Sequence, residues 1–242
     1  MTARIRALLV ATMTVLSAQG HAQSYVGYDA FYADRPGAVF GAPLEHERDA
    51  HESDATVLYV DPDKPGVFAQ RQAKLGRRAF DIAVWGDRIA IDGRTYRFAD
   101  AIAFSGAFAA PIYPGSAEVF VAGRTDTHPP LLCVEGHGSA SDEASSRYTQ
   151  ILLVIDPLAR KPVLLLLPRL LSSCRAVVAT HDGTLAFPGN RYLFDDAHVL
   201  RIGLLVSYYT FDGRHFMPTG DTLRLRFVEP ENPFRFSLQR AH

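Results

Sequence analysis

The sequence lacks most of the features that assign a chain to a functional class at sight. Its 242 residues include two cysteines and one tryptophan, and 25 basic residues are balanced by 26 acidic ones. This balance excludes the basic excess that is typical of nucleic-acid-binding proteins. After the first 22 residues, no apolar run is longer than that of Val163–Leu167, whereas a transmembrane helix needs about 20 residues. We therefore expect no nucleic-acid partner and no membrane span in the mature chain.

The short motifs of common catalytic sites are also missing. The sequence contains no G-x-S-x-G, H-E-x-x-H or G-x-x-x-x-G-K-[ST] motif. A histidine and a serine do occur together in the glycine-rich stretch Gly136–Ser141. Adjacency along the chain, however, does not bring a nucleophile, a base and an orienting group together in space. The sequence thus assigns no catalytic residue and predicts no cofactor.

The first 22 residues are typical of a secretory signal peptide. Arg4 and Arg6 provide positive charge near the start, and the apolar stretch Ala7–Ala18 follows. Small residues occupy the two positions that a signal peptidase recognises before a cleavage after Ala22. The apolar stretch is too short for a membrane anchor, which needs about 20 residues. We therefore expect a periplasmic or secreted protein of a Gram-negative bacterium, whose mature chain is residues 23–242.

Export also decides how the two cysteines are interpreted. In an oxidising compartment Cys133 and Cys174 form an even pair with one connectivity, so the sequence predicts a disulfide bond between them. The alternative is a metal site that combines these cysteines with His137 and His181. Structural zinc sites usually hold their ligands in tight pairs along the chain, but six residues lie between Cys174 and His181. The disulfide is the favoured interpretation.

Comparison of the chain with itself reveals an internal repeat. Gly86–Ala101 aligns with Asp182–Ala197 at a constant offset of 96, and six of the 16 positions are identical. With the strand-like runs that precede these segments, the repeats extend over residues 54–105 and 149–202. Similarity at a fixed offset predicts a duplicated unit. The alternative is a pair of hairpins that share turn chemistry without common descent.

Both repeats have the residue pattern of β-strands. Each predicts a hairpin followed by a three-strand meander, and in the first repeat the hairpin joins Ala55–Val60 to Gly66–Gln72. Gly93 and Gly189 are aligned with each other, and each is predicted to lie in the second turn of its meander. Glycine suits this position because it tolerates the positive φ of a tight hairpin turn. A further hairpin turns at Asp212–Gly213. We expect an all-β fold of about ten to fourteen strands, with two homologous units packed as one sandwich- or barrel-like domain.

The repeats share an aromatic and acidic pattern. Tyr96 and Asp100 align with Tyr192 and Asp196, and a phenylalanine lies between the two members of each pair. Alternate side chains of a strand share one face, so each copy could form a ligand surface with an aromatic wall and a carboxylate. The alternative is a pair of core-facing rings with the aspartate beyond the strand end. The last hairpin offers the same choice with three more aromatic residues, Tyr208, Tyr209 and Phe211.

The densest group of potential metal ligands is Glu45–Asp54. Within it, His46, Asp49 and His51 combine imidazole and carboxylate groups, which together bind divalent cations. The stretch lacks a hydrophobic anchor that would hold these ligands rigidly. A solvated acidic linker before the first repeat therefore accounts for it equally well.

The segments Leu164–Cys174 and Phe227–Leu238 resemble exported β-rich proteins of proteobacteria that are themselves uncharacterised. The resemblance implies an origin in the bacterial envelope and no particular activity. Repeated β scaffolds with aromatic edges and no catalytic motif usually bind other molecules. We therefore expect a non-catalytic protein that binds an envelope protein or a cell-wall ligand, in the manner of an inhibitor or immunity factor. A metal-dependent or other envelope hydrolase is the alternative.

Overall fold

The protein is almost entirely β in its computed structural model, which describes residues 23–51, 66–138 and 147–239. Within these ranges it contains one α-helix and sixteen β-strands, so the expectation of an all-β fold is confirmed. Three of the strands have only two or three residues, which explains why the strands outnumber the apolar runs of the sequence. No helix in this part of the chain is long and apolar enough to cross a membrane.

The elements succeed one another mostly through short connections. In chain order they are β1 (Ser24–Val26), α1 (Tyr28–Ala33), β2 (Arg48–His51), β3 (Val67–Leu75), β4 (Arg78–Val84), β5 (Arg88–Ile91), β6 (Arg94–Arg97), β7 (Ile102–Ala103), β8 (Glu118–Ala122), β9 (Leu131–Gly136), β10 (Gln150–Ile155), β11 (Val163–Leu166), β12 (Val178–Ala179), β13 (Leu185–Phe194), β14 (Arg201–Phe211), β15 (Phe216–Phe227) and β16 (Arg235–Gln239). Short 3-10 turns are formed by Phe98–Asp100, Pro114–Ser116 and Cys174–Ala176.

The strands form three sheets. The central sheet has the order β7-β11-β10-β9-β8, and a second five-stranded sheet has the sequential order β2-β3-β4-β5-β6. The third sheet has six strands in the order β1-β16-β15-β14-β13-β12. Neighbouring strands are antiparallel in every pair except β7 and β11.

The central sheet is buried on both faces. Its strands β9 and β10 are buried at nearly every position, and their side chains are apolar on both faces except for Glu135 and Gln150. Successive side chains of a strand point to opposite faces, so such a run can bury both. Leu132 and Val134 of β9 pack into the cluster shared with the second sheet, and Leu131 and Cys133 pack into the cluster shared with the six-stranded sheet. The body is therefore a three-layered sandwich.

Helix α1 covers the outer face of the six-stranded sheet. Its residues Tyr28, Phe31 and Tyr32 are buried, and the ring centroid of Tyr28 lies 4.6 Å from that of Phe236 in β16. The sequence did not predict this helix, because six residues are too few to show a sustained apolar period of about 3.6. The aromatic residues near the mature N-terminus thus belong to the core.

The predicted meander of the first repeat is confirmed. Strands β4, β5 and β6 pair in sequence, and the turn between β5 and β6 has φ of 51° at Asp92 and 78° at Gly93. Two consecutive positive φ values are the signature of a primed hairpin turn. The predicted hairpins β10–β11 and β14–β15 are confirmed as well, and Gly213 in the second has φ of 99°.

The predicted turn at Gly189 is wrong. Gly189 lies inside β13, which pairs with β14 continuously from Ala186 to Phe194, with one irregularity after Leu193. The long partner strand keeps the chain extended past the glycine. The glycine is instead needed for close packing, since a Cβ atom there would come within 2.8 Å of the Tyr209 ring. The two aligned glycines therefore have different roles, and common descent of the repeats stays a prediction.

For the stretch Glu45–Asp54, the alternative to a metal site was a solvated linker. Part of this stretch is a strand instead. Its residues Arg48–His51 form β2, which pairs with β3 at one side of the second sheet. Ala55–Val60, the predicted partner of β3, lies outside the described residues. Strand β2 has a single apolar residue, Ala50, so no apolar alternation marked it as a strand.

The predicted disulfide bond is confirmed. Cys133 of β9 is bonded to Cys174, and their Cα atoms are 5.8 Å apart. Both residues are fully buried. The bond joins the central sheet to the chain segment that leads into the six-stranded sheet, and it fits a protein that matures outside the reducing cytoplasm.

The Asp92–Gly93 turn gives the first testable prediction. Gly93→Val introduces a β-branched residue at a φ of 78°, where no neighbouring atom lies within 4 Å of the new Cβ. Backbone strain alone should therefore lower the free energy of unfolding by about 1–3 kcal/mol, measured by thermal or urea denaturation. Gly138→Val, at an exposed position without a positive φ, is the matched control and should change stability little. Equal losses in the two variants would contradict this account.

Removal of the disulfide gives the second prediction. The bond closes a loop with a sequence separation of 41. The chain-entropy model assigns about 4 kcal/mol of stability to a loop of this length. We expect Cys133→Ser/Cys174→Ser to unfold at a clearly lower urea concentration than the oxidised protein. Wild-type protein with reduced thiols is the control, and it should resemble the double variant. An unchanged midpoint in both would show that the bond does not stabilise the fold.

Candidate functional site

The four residues of the predicted ligand surface lie on two different sheets. Tyr96 of β6 packs against the core between the second and central sheets, and Asp100 is exposed at the end of the following 3-10 turn. Tyr192 is in β13, where its hydroxyl accepts a hydrogen bond from Nη1 of Arg147 at 3.2 Å. Asp196 is exposed beyond the end of β13. The structure does not bring the two pairs together, and a ligand role for either stays a prediction.

Two of the three residues of the predicted metal site meet at a small cavity. Nε2 of His46 lies 3.3 Å from Oδ1 of Asp49, and Arg71 and Glu118 line the same cavity. Arg71 is 3% exposed and donates hydrogen bonds of 3.0 and 2.8 Å to two backbone carbonyl oxygens. Its positive charge opposes a metal ion at this place. Across the described ranges no three His, Cys, Asp or Glu side chains form a metal-binding group, and the site with His51 stays a prediction.

A half-open groove of about 540 Å³ lies where the central and six-stranded sheets meet. We name it the aromatic–arginine groove. Its rim consists of the segment Phe104–Phe108, the residue Tyr148 and the segment Pro168–Leu170, and its floor consists of Gly189–Arg191 of β13 with Ser207 and Tyr209 of β14. Its volume is in the range of small-molecule sites in proteins.

A cation stacked on two aromatic rings dominates the rim of the groove. The guanidinium carbon of Arg169 lies 4.3 Å from the ring centroid of Phe108 and 5.5 Å from that of Tyr148. The two rings are themselves exposed, Phe108 by 61% and Tyr148 by 41%. Stacking of this kind contributes about 0.5–1 kcal/mol at an exposed site. It holds the guanidinium in place while the rings remain available to a ligand.

The charge of the groove is unbalanced. Among the residues that the structure describes, its lining includes Arg169 and Arg191 and no aspartate or glutamate. No oxygen atom within the described ranges accepts a hydrogen bond from the Arg169 side chain, and its Nη1 atom is buried without a partner. A cation without an acidic partner attracts an anion that enters the groove. The groove therefore offers positive charge beside apolar surface.

The floor of the groove depends on the absence of a side chain at Gly189. The ring of Tyr209 lies against this glycine, and the Phe104 and Tyr209 ring centroids are 4.8 Å apart in an edge-to-face arrangement. Phe104 also packs edge-to-face on Phe216, with centroids 5.3 Å apart. The aromatic floor is therefore rigid, because each ring is held by another ring and by the backbone of β13.

The rim segment Pro168–Leu170 is held from below by Asn190. Its Nδ2 atom donates hydrogen bonds to the carbonyl oxygens of Leu170 and Leu171 at 2.8 and 2.9 Å. The Tyr32 hydroxyl donates to the same Leu171 carbonyl at 3.0 Å. Leu171 has a positive φ of 47°, an uncommon conformation for a leucine. These bonds fix the turn that places Arg169 at the groove.

Below this segment, the buried carboxyl of Glu135 holds the chain around the disulfide. It accepts hydrogen bonds from the backbone N–H of Cys174 and from the hydroxyl of Ser173, the latter at 3.3 Å. Burial raises the pKa of Glu135 from 4.5 to about 7, against the opposing effect of these two hydrogen bonds. The nearby carboxyl groups of Glu118 and Asp29 raise the pKa further.

The groove was not predicted from the sequence, although Tyr209 was among the aromatic residues noted there. Its residues come from five segments that only the fold brings together. One local signal was present: Arg169 is a single charge between the apolar run Val163–Leu167 and the pair Leu170–Leu171. A cation in such a position needs a specific partner, and here the partner is a pair of rings.

Comparisons with known proteins give no functional assignment for this arrangement. No family model, no curated protein and no solved structure matches the chain.

Glu135 gives a prediction of pH dependence. Its pKa is higher in the folded protein than in the unfolded chain, so ionisation favours unfolding. The contribution of the Glu135 carboxyl to the free energy of unfolding should fall by about 3 kcal/mol in total as pH rises from about 4.5 to about 7. At higher pH this contribution should stay constant. Glu135→Gln should remove this slope, measured by urea denaturation at pH 5, 6, 7 and 8.

The matched control for this measurement is Glu229→Gln. Glu229 is exposed, so its replacement removes one carboxyl group without changing the buried site. This variant should keep the slope of the wild-type protein. Parallel pH profiles for the wild type and Glu135→Gln would show that the Glu135 carboxyl ionises equally easily in both states.

Proposed function

We propose that this is an exported, non-catalytic binding protein and that its ligand lies in the aromatic–arginine groove. The observation that carries the proposal is the stack of Arg169 on the exposed rings of Phe108 and Tyr148. Large exposed rings and arginine are the residues that contribute most to binding at protein surfaces. Here they are clustered in one concave site.

The chemistry of the groove supports binding rather than catalysis. The lining residues within 23–51, 66–138 and 147–239 include no histidine, cysteine, aspartate or glutamate, which are the usual general acids, bases and nucleophiles. Arginine stays protonated in proteins, so it holds a charge instead of transferring a proton. Serine is present at Ser105 and Ser207, but no described lining residue is a base that could activate either hydroxyl.

The site of action is the cell envelope. The signal sequence expected at residues 1–22 directs the chain out of the cytoplasm. The buried disulfide between Cys133 and Cys174 supports maturation in an oxidising compartment, of which the periplasm is the first choice and the extracellular space the second. The ligand is accordingly an envelope protein or a component of the cell wall, and the protein acts on it as an inhibitor or immunity factor does.

A photo-crosslinker placed in the groove tests this proposal. A benzophenone amino acid at position 108 preserves an aromatic group on the rim and should form an adduct in cells that export the protein. Arg169→Gln in the same chain should reduce the adduct by about tenfold, because it removes the cation that completes the site. The readout is the yield and mass of the crosslinked species.

Position 26 provides the matched control. Val26 is 77% exposed in the outer strand β1 and does not line the groove. The same crosslinker there should give no adduct of that mass. An adduct that forms equally at positions 26 and 108, or that is insensitive to Arg169→Gln, would place the ligand elsewhere.

A further inference from the structure

We infer that the ligand of the groove is an acidic saccharide, in which a pyranose ring that bears a carboxylate packs on the exposed rings while Arg169 binds the carboxylate. The inference rests on the proposed function, since it names the chemical class of ligand for the same site. It combines three independent features of the groove: its positive charge, its exposed aromatic rings and the sheet face that forms its floor.

The charge of the groove selects an anion. Of the described residues in its lining, Arg169 and Arg191 are the charged ones, whereas the whole chain has 25 basic and 26 acidic residues. The positive character is therefore local and does not follow from composition. Elsewhere in the described structure, Arg78, Arg124 and Arg201 each lie beside an acid. Two arginines without an acid create a site for an anionic group from outside the chain.

The stack of Arg169 favours a carboxylate. A guanidinium stacked on rings uses its faces for those contacts, and its N–H donors remain in the plane of the group. Because Nη1 is buried, the Nε and Nη2 donors form the fork that matches the two oxygen atoms of a carboxylate. Phe108 and Tyr148 hold this fork in position beside their own exposed surfaces. The anion should thus be attached directly to a part of the ligand that can pack on a ring.

The floor of the groove favours a sugar over an extended peptide. The strands β13 and β14 are paired with each other along the floor, where Gly189 lies opposite Ser207 and Arg191 opposite Leu205. The residues opposite each other here share one face of the sheet, and it is this face that the groove exposes, whereas β12 pairs with β13 only at Leu185 and Ala186. A peptide that binds as an added strand pairs with the edge of a sheet and not with its face. What the floor presents instead is the ring of Tyr209 and the hydroxyl of Ser207.

A pyranose fits this combination. One face of the ring carries mainly C–H groups, which pack on an aromatic surface, and its hydroxyl groups form hydrogen bonds to side chains such as Ser105 and Ser207. The volume of about 540 Å³ accommodates more than one sugar ring. Two sources share this chemistry, a cell-wall glycan with a lactyl carboxylate and an exopolysaccharide with a uronic acid.

Four sugars in two matched pairs test the inference. N-acetylmuramic acid and N-acetylglucosamine differ in the carboxylate-bearing lactyl group, and glucuronic acid and glucose differ in a single carboxylate. Each is titrated into the exported full-length mature protein, and binding is followed by chemical-shift changes in NMR spectra. At least one acid should bind about tenfold more tightly than its neutral partner, because a charge-assisted contact to Arg169 is present only for the acid.

Variants assign the effect to the groove. Arg169→Gln should remove the preference for the acid, and Phe108→Ala should weaken acid and neutral sugar alike. Arg88→Gln is the matched control, because Arg88 also stacks on a ring, that of Trp85 at 4.7 Å, but lies on the second sheet. It removes one positive charge and should leave binding unchanged. Thermal denaturation of each variant separates loss of binding from loss of fold.

The outcomes separate this inference from the proposed function. A preference for N-acetylmuramic acid supports a cell-wall source, and a preference for glucuronic acid supports an exopolysaccharide. Equal binding of acid and neutral sugars, or no binding of any of the four, overturns the inference. The proposed binding role survives either result if the crosslink at position 108 still depends on Arg169, and it fails with the crosslink whatever the sugars do.

Discussion

The burial of the central sheet on both faces is the constraint on which the rest of the structure depends. Strands β9 and β10 have no polar face, so each side must be covered by another layer. The second sheet covers one side through residues such as Ile82 and Ile89, and the six-stranded sheet covers the other. The six-stranded sheet then has an outer apolar face of its own, which α1 covers. The order of the layers follows from the apolar runs of the central strands.

The groove exists because the cover on one side of the central sheet is incomplete. Where the sheet ends, the short segments after β7 and β11 bridge to β13 and β14, and the space between them remains open. The disulfide from Cys133 and the buried carboxyl of Glu135 both hold the chain at Cys174, a few residues beyond Arg169. A site built on short connections is thereby tied to the most buried strand of the protein. Precise placement of a binding group requires such support.

Features that depend on neighbouring residues were predictable from the sequence. The Asp92–Gly93 turn and the β10–β11 hairpin follow from turn residues between apolar runs, and the disulfide follows from an even pair of cysteines in an exported chain. Features that depend on distant partners were not predictable. Gly189 resembles a turn glycine locally, but the length of β14 keeps it in a strand. The groove assembles from five separate segments, and no spacing rule connects them.

The contrast between two arginines shows why Arg169 is better explained by binding than by stability. Arg71 is 3% exposed and has one buried donor, Nε, without a partner, but it donates two hydrogen bonds to backbone carbonyl oxygens and has Asp49 and Glu118 beside it, so its charge is compensated within the chain. Arg169 has two aromatic rings and no acceptor in the described structure. An apolar side chain would cover Phe108 and Tyr148 without leaving a donor unsatisfied, which costs about 1–3 kcal/mol when the donor is buried. The fold itself gains little stability from a charge at this position. An anionic ligand can bind the guanidinium group of Arg169, because no acceptor of the described chain does.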